Sequence, residues 1–337
     1  MFDGSMSVSI HTSSFRANVL GKMSFSKHGT LRKTRVTLSL ANSPSSILVH
    51  IDESDSSQKC GRNTVPNPNM SLSSKDFSTS SMLNQSNAIG IIGGVCVSST
   101  LNFLQKLVQW GSKEGKECPP FVLCSDPKLG EDLLMYERSS FPSLYARVGP
   151  SNVDHTPIVE NLRRKRMSLE QGGARCIVMP CHLLHSWHAD VSIGCDVPIL
   201  HMGECVAREL KEAKLRPLEA GCRLRIGLIA TDVILKSGYY QDKLQNEGFE
   251  VVLHDKATME HTVIPAIQAL DRKDIEGARN LLRVAVQVLL VRAVNMVIIS
   301  SHEMCGLLPH DDPLRKKCVD PIDALVRETI RWSYSLE

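Results

Sequence analysis

Two short stretches of this chain carry residue types that move protons: Cys181 with His182 and His185, and Ser301 with His302 and Glu303. A thiol has an ordinary pKa of about 8.5 and is easily tuned toward neutrality, so Cys181 is the strongest single candidate for an acid or base. The stretch that delivers it, Ile177-Val178-Met179-Pro180, is an apolar run stopped by a proline, the pattern of a buried strand in a parallel sheet. Ligands of open α/β sheets bind in crevices outside the carboxyl ends of such strands. Cys181 is therefore either a reactive thiol at a crevice or a small buried residue, the two ordinary fates of a free cysteine. Met296 to Ser300 is a similar run and presents Ser301, His302 and Glu303 in the same way.

A third stretch, Ala88 to Gly94, ends in paired glycines and is followed by Ser98, Ser99 and Thr100 at the start of a helical pattern. Glycines at a strand end let the backbone approach an anion, and the next helix offers unpaired N–H groups to a carboxylate or phosphate. Gly90, Gly93 and Gly94 fit no G-x-G-x-x-G spacing, so a carboxylate is the better reading than a dinucleotide.

The elements that must position these residues are legible from the alternation of patterns. Of the 337 residues, 42% are hydrophobic and 22% charged, with a net charge of +3, enough for one large or two modest cores. The densest basic cluster, Arg163 to Arg166, falls inside a helical pattern and reads as its solvated face, which argues against a nucleic-acid partner. The longest apolar stretch, Val284 to Ile299, is interrupted by Arg292 and Asn295, so no membrane span is expected. The eleven cysteines show neither disulfide-framework nor zinc-finger spacing. His182, His185 and His188 cluster near Cys181 but lack a second ligand cluster, so neither a metal nor another cofactor is expected.

Residues 1–85 are rich in Ser and Thr, and between Met1 and His50 the only acid is Asp3. A basic, acid-poor leader of this kind suggests an organellar transit peptide followed by a linker, chloroplast ahead of mitochondrion, the alternative being a merely disordered tail of a cytoplasmic protein. Ordered structure is expected from residue 86. A strand at Phe121 to Cys124 precedes a loop-like stretch to Asp154, rich in Ser, Pro and Gly, which reads as a lid or rim. Pro157 to Gln171 reads as a helix closed by Gly172 and Gly173. Past the turn-rich segment from Pro217 to Cys222 the order repeats, with Leu224 to Thr231 echoing Ala88 to Gly94 and Asn295 to Glu303 echoing Arg175 to His182. A helix is expected from Leu235 to Asn246. Strand alternating with helix predicts two α/β lobes with parallel sheets facing each other across a cleft, 86–200 with 319–337 forming the first and 201–318 the second.

From Ala88 to Trp332 the chain resembles the aspartate/glutamate racemase family. The residues that carry the resemblance are Gly90 to Gly94 with Ser98, Ser99 and Thr100; Cys181 with His185; Gly227 to Thr231 with Ser237 and Gly238; Ser300 to Glu303; and Val319 to Asp323. The resemblance implies two Rossmann-like (flavodoxin-like) lobes, pairing as homodimers, and cofactor-independent inversion at an amino acid α-carbon by two opposed cysteines. It implies Cys181 as one acid/base, with His185 beside it, and a substrate cradle drawn from Gly94, Val95, Ser98, Ser99, Thr100, His182, Leu183, Thr231, Ser237, His302 and Glu303. Ser301 stands where the family's second cysteine is expected, and Cys305 lies four residues on, able to reach the cleft only if that loop is rearranged. Ser301 is thus an acid/base, a substrate hydrogen-bonding group or a space-filler. His185 either orients the Cys181 loop or satisfies a core hydrogen bond, and Glu303 either binds the substrate ammonium or caps a helix. The replaced cysteine leaves two further readings open: a one-cysteine isomerase or decarboxylase of a dicarboxylic acid, and an amino-acid-binding protein without catalysis.

Overall fold

The computed structural model of the chain describes residues 46–50, 86–112, 117–139, 154–218 and 221–336. Among them, eight strands form two four-stranded sheets in which every neighbouring pair is parallel. In chain order the strands are β1 (Ser46–His50), β2 (Ile89–Ile92), β3 (Phe121–Ser125), β4 (Cys176–Val178), β5 (Arg225–Ala230), β6 (Glu250–Leu253), β7 (Met296–Ser300) and β8 (Cys318–Val319). The helices are α1 (Val97–Gly111), α2 (Pro127–Ser139), α3 (Thr156–Gln171), α4 (His188–Ser192), α5 (Met202–Glu212), α6 (Asp232–Ser237), α7 (Tyr239–Asn246), α8 (Lys256–Thr258), α9 (Ile264–Asp271), α10 (Ile275–Val291), α11 (His302–Cys305) and α12 (Pro321–Tyr334).

The first sheet runs β1-β3-β2-β4 and the second β6-β5-β7-β8. An isolated parallel bridge from Ile177 to Ile199 extends the first sheet beyond β4. In each lobe the strand that comes first in the repeat, β2 or β5, lies between the second and the third. The chain thus leaves it in two directions, and the crevice at such a switch point is where open α/β sheets bind ligands. Both of these strands are apolar on both faces, as helix-covered parallel strands must be: Ile89, Ile91 and Ile92 of β2 and Ile226, Leu228 and Ile229 of β5 are buried. The repeat extends to packing. A Cβ on Gly90 would stand 3.0 Å from Ala174 Cβ, and one on Gly227 would stand 2.9 Å from Leu289 Cδ1, so in both lobes the covering chain presses onto a bare backbone position.

The two sheets share a middle layer. α12 packs on α1 from the first lobe and on α5, which in turn packs on α7. One buried cluster runs through Ile89, Phe103, Val206, Ile226, Tyr240, Ile298 and Leu325, joining both lobes. Asp320 holds the entry to α12: its side chain accepts from Ile322 N at 2.9 Å while Lys106 of α1 reaches it at 3.0 Å and Asp323 at 2.5 Å. Asp320→Ala removes a cap and one half-buried ion-pair partner, and we expect it to cost about 1–2 kcal/mol in urea unfolding, whereas Asp323→Ala costs less than about 1.

Four sequence expectations need correction. The stretch after β3 is not wholly loop: α2 occupies its first half because Leu129 and Leu133 fall one turn apart and are both buried, while residues 140–153 lie outside the described residues. The helix expected over Leu235 to Asn246 is broken by Gly238, whose φ of 72° ends α6 and starts α7. Lys165 and Arg166 are buried rather than solvated, because Asp126 at the tip of β3 takes Lys165 at 2.6 Å and Ile193 O takes Arg166 at 3.0 Å. Within the expected leader, Ser46–His50 is a strand paired with β3; its core Ile47-Leu48-Val49 is a β-favouring run. The rest of the leader lies outside the described residues.

Candidate active site

The first lobe brings the glycine turn against the cysteine. Gly93 N donates to Cys124 O at 2.9 Å, which carries β2 one residue past its neighbour and leaves Gly94 lying on the Cys181 side chain. A Cβ at Gly94 would overlap both Cβ and Sγ of Cys181, well inside the 3.0 Å that Cβ contacts respect, so only glycine fits. Ser99 at the start of α1 donates to Pro180 O at 2.8 Å and ties the turn to the cysteine loop. Burial pushes the Cys181 thiol up to about 11, although main-chain N–H groups of Val95, Leu184 and Leu183 point at the sulfur and pull the other way. At neutral pH Cys181 is thus a thiol already placed in a cage of donors that would hold its thiolate.

The second lobe supplies the facing wall. Ser301 is the cap of α11, accepting from Met304 N at 3.4 Å, and its hydroxyl donates to Glu303 Oε2 at 3.2 Å. Burial would raise the Glu303 carboxyl, yet the Cys96 thiol, its own main-chain N–H, His302 and Ser301 together hold it below its ordinary value. Thr231 caps α6 from an extended conformation, and its Oγ1 is buried without a partner among the described residues.

His182 stitches the lobes. Its Nδ1 lies 3.1 Å from both Ser300 Oγ and Tyr240 Oη, and Tyr239 Oη donates to its carbonyl at 3.0 Å. Burial lowers its pKa from 6.5 to about 4, so the ring is neutral. Hydroxyls serve Nδ1, while Nε2 is buried without a partner among the described residues. Burial likewise brings His201 to about 4 and His185 well below 6.5. A histidine held neutral stabilises the fold fully above its unfolded pKa and loses that contribution as pH falls toward its folded value. Stability is therefore expected to be level above pH 6.5 and to fall steeply between 6.5 and 4. Urea midpoints measured across that window check this, and His182→Asn should flatten the slope.

Cys181, Val95, Ser99, His182, Leu183, Thr231, Ser301, His302 and Glu303, all singled out from sequence, line one cleft of about 290 Å³ between the lobes. Other expected residues stand elsewhere. Cys305 is turned away into the second-lobe core, donating to Ile299 O at 3.1 Å, because the single turn of α11 points it back along β7. Ser237 donates to Ile234 O of its own helix at 2.7 Å. Thr100 is buried behind Gly93, and Ser98 is exposed with its hydroxyl 2.7 Å from Cys96 Sγ. His185 fastens the cysteine loop, with Nε2 3.0 Å from Met179 O and Nδ1 accepting from Met202 N at 3.4 Å; it orients rather than reacts. Cys96, Ser300 and the acids Glu137 and Asp271 line the cleft without having been anticipated. Among the described residues no group of three or more His, Cys, Asp or Glu is arranged to hold a metal ion.

A parallel-sheet crevice thus holds a caged thiol, a glycine turn and donor-rich strand ends from two repeated lobes. The family model described as Asp/Glu/Hydantoin racemase matches residues 92–329, and the chain belongs to that family. An uncharacterised protein from the pnlA 3' region of Pectobacterium carotovorum subsp. carotovorum is 25% identical over 150 residues, 44% of this chain and 94% of that protein. The broad specificity amino-acid racemase RacX of Bacillus subtilis (strain 168) is 23% identical over 167 residues, half of this chain but 64% of that protein. The crystal structure of an aspartate racemase homologue from Pyrococcus horikoshii OT3 superposes with a TM-score of 0.56 at 19% identity, over 74% of this chain and 99% of the other, and shares the fold.

Proposed function

We propose that this chain is a cofactor-independent racemase or epimerase of a small amino acid, with Cys181 moving the α-proton in the interlobe cleft. The observation that carries the reading is the Cys181 thiol, ringed by the N–H groups of Val95, Leu184 and Leu183 and lining a cleft of about 290 Å³ walled from both lobes. The volume suits one small acid, near the lower limit of ordinary ligand pockets. Removing an α-proton piles charge onto the carboxylate, so donors must be fixed around it beforehand. The start of α1, which has no acidic residue in its first turn, the unpartnered Thr231 hydroxyl and, in the tautomer protonated at Nε2, the His182 ring are the natural donors. The Cys181 thiol gives its proton to the planar carbon, and its N–H cage holds the thiolate that remains.

Aspartate and glutamate fit this cleft poorly. Its described lining includes Asp271 and Glu303 but no Lys or Arg, so an acidic side chain meets like charge without a countercharge. We expect neutral amino acids to exchange at least about tenfold faster than aspartate, since one uncompensated like-charge contact exceeds about 1.4 kcal/mol. Incubating the protein with single enantiomers in deuterium oxide and following the α-proton by NMR tests both statements; no exchange from any of them would refute the activity.

A second reading has one specific support: Ser301, not cysteine, occupies the second-lobe tip, and its hydroxyl is engaged with Glu303. A one-thiol isomerase or decarboxylase would protonate a planar intermediate from the Cys181 face alone. A single product enantiomer would favour it, whereas a racemate supports inversion.

A further inference from the structure

First-lobe backbone surrounds the Cys181 sulfur, but the next residue of its loop is held from the second lobe. Three hydroxyls converge on His182: Tyr239 Oη donates to its carbonyl at 3.0 Å, and Tyr240 Oη and Ser300 Oγ each stand 3.1 Å from Nδ1. All four residues are buried. The tyrosines open α7 directly behind Gly238, whose left-handed backbone sets where that helix starts. Their rings lie 4.5 Å apart, and that of Tyr239 lies 5.9 Å from His185, which fastens the same loop through Met179 O. One tyrosine thus grips the loop's backbone and the other its cleft-lining side chain. Burial raises both phenols above their ordinary pKa, so each stays a neutral hydroxyl, and neither is among the described residues that line the cleft. They are placed to hold, not to transfer a proton.

We propose that Tyr239 and Tyr240 are positioning residues for the proton transfer, holding from the second lobe the loop that presents Cys181 to the substrate. This rests on the racemase reading and adds the second-lobe residues on which its thiol depends. The two act at different points. Losing the Tyr239 hydroxyl leaves the buried His182 carbonyl without its partner and frees the peptide that follows, one residue from the thiol. A displacement there alters the approach of the sulfur to the α-carbon, which slows the chemistry more than it weakens binding. Tyr240 shares Nδ1 with Ser300 and sets where the His182 ring stands in the cleft wall. Its loss acts on substrate binding as well as on the rate.

The test uses the full chain and whichever amino acid the wild type exchanges. Tyr239→Phe and Tyr240→Phe keep the rings and remove only the hydroxyls. Each should lower kcat for α-hydrogen exchange in deuterium oxide at least about tenfold. KM should stay within about twofold for Tyr239→Phe and rise at least about threefold for Tyr240→Phe. Val326→Ala, in the buried layer that joins the lobes but in none of these bonds, gauges a merely structural loss: it should lower the urea midpoint at least as far as either tyrosine variant while kcat stays within about twofold. Nitrogen-15 spectra supply a readout independent of activity, since the His182 ring signals should move in Tyr240→Phe and stay in place in Val326→Ala. Both Phe variants within about twofold of the wild-type kcat would overturn the positioning role and leave the racemase reading intact. So would a fall in kcat that Val326→Ala reproduces at an equal loss of stability, and His182 signals unmoved in Tyr240→Phe would remove Tyr240 from the assignment. A wild type that exchanges neither enantiomer of any amino acid refutes the racemase reading and the positioning role with it.

Discussion

Cys181→Ser should slow α-hydrogen exchange by about 10²–10⁴-fold while shifting the unfolding free energy by no more than about 1.5 kcal/mol. The two expectations separate chemistry from folding. Serine nearly matches cysteine in volume, so the wall against Gly94 is preserved, and its hydroxyl can accept from the same main-chain N–H groups that face the sulfur. What is lost is acidity: a hydroxyl is a far weaker acid than a thiol and cannot share a proton with an α-carbon at neutral pH. The wild-type thiol, pushed up to about 11 by burial, stays protonated across the neutral range and serves first as a donor. Its contribution to the rate should therefore show no falling limb between pH 6 and 9. Exchange that survived the substitution unchanged would place the proton donor elsewhere in the cleft.

How far the sequence announces this site depends on whether a contact is local. The strand ends that carry Gly94, Cys181, Thr231 and Ser301 were legible, because apolar runs ending in Gly, Pro or polar residues are one-dimensional signals and the repeat confirms each by its echo. The bonds across the cleft were not. Tyr239 and Tyr240 are separated from His182 by 57 and 58 residues and fall inside what the pattern gives as an unbroken helix, yet they hold its carbonyl and ring. Cys96 hides between residues chosen for their backbone: the glycines and the Ser98-Ser99-Thr100 run draw the reading to main-chain donors, and only the fold puts this thiol on the cleft wall with Ser301 and Glu303. Lys165 and Arg166 misled for a related reason, since a basic run on a helix is normally solvated and only the tip of β3 reveals the buried partner Asp126. The helical start of the supposed lid was masked by the Ser, Pro and Gly that follow it, although Leu129 and Leu133 gave a one-turn signal.

Gly94→Ala is the substitution expected to damage the site most without touching a reacting group. The new Cβ would overlap the Cβ and Sγ of Cys181, so either the β2 turn or the cysteine loop must shift. Neither yields easily: Ser99 bonds one to the other, and His185 pins the loop through Met179 O. Overpacking of this kind costs about 1–3 kcal/mol, and a displacement near 1 Å at a reacting group costs about 10²-fold in rate. We therefore expect a loss of stability together with at least that fall in exchange. The cause can be isolated by a double-mutant cycle, because the clash is with one side chain. Cys181→Gly removes both overlapped atoms, so adding Gly94→Ala to it should cost at least about 1 kcal/mol less in urea unfolding than adding it to the wild type. Strict additivity would mean that alanine at 94 harms the fold through the turn itself, and that the glycine is there for its backbone rather than to make room for the thiol.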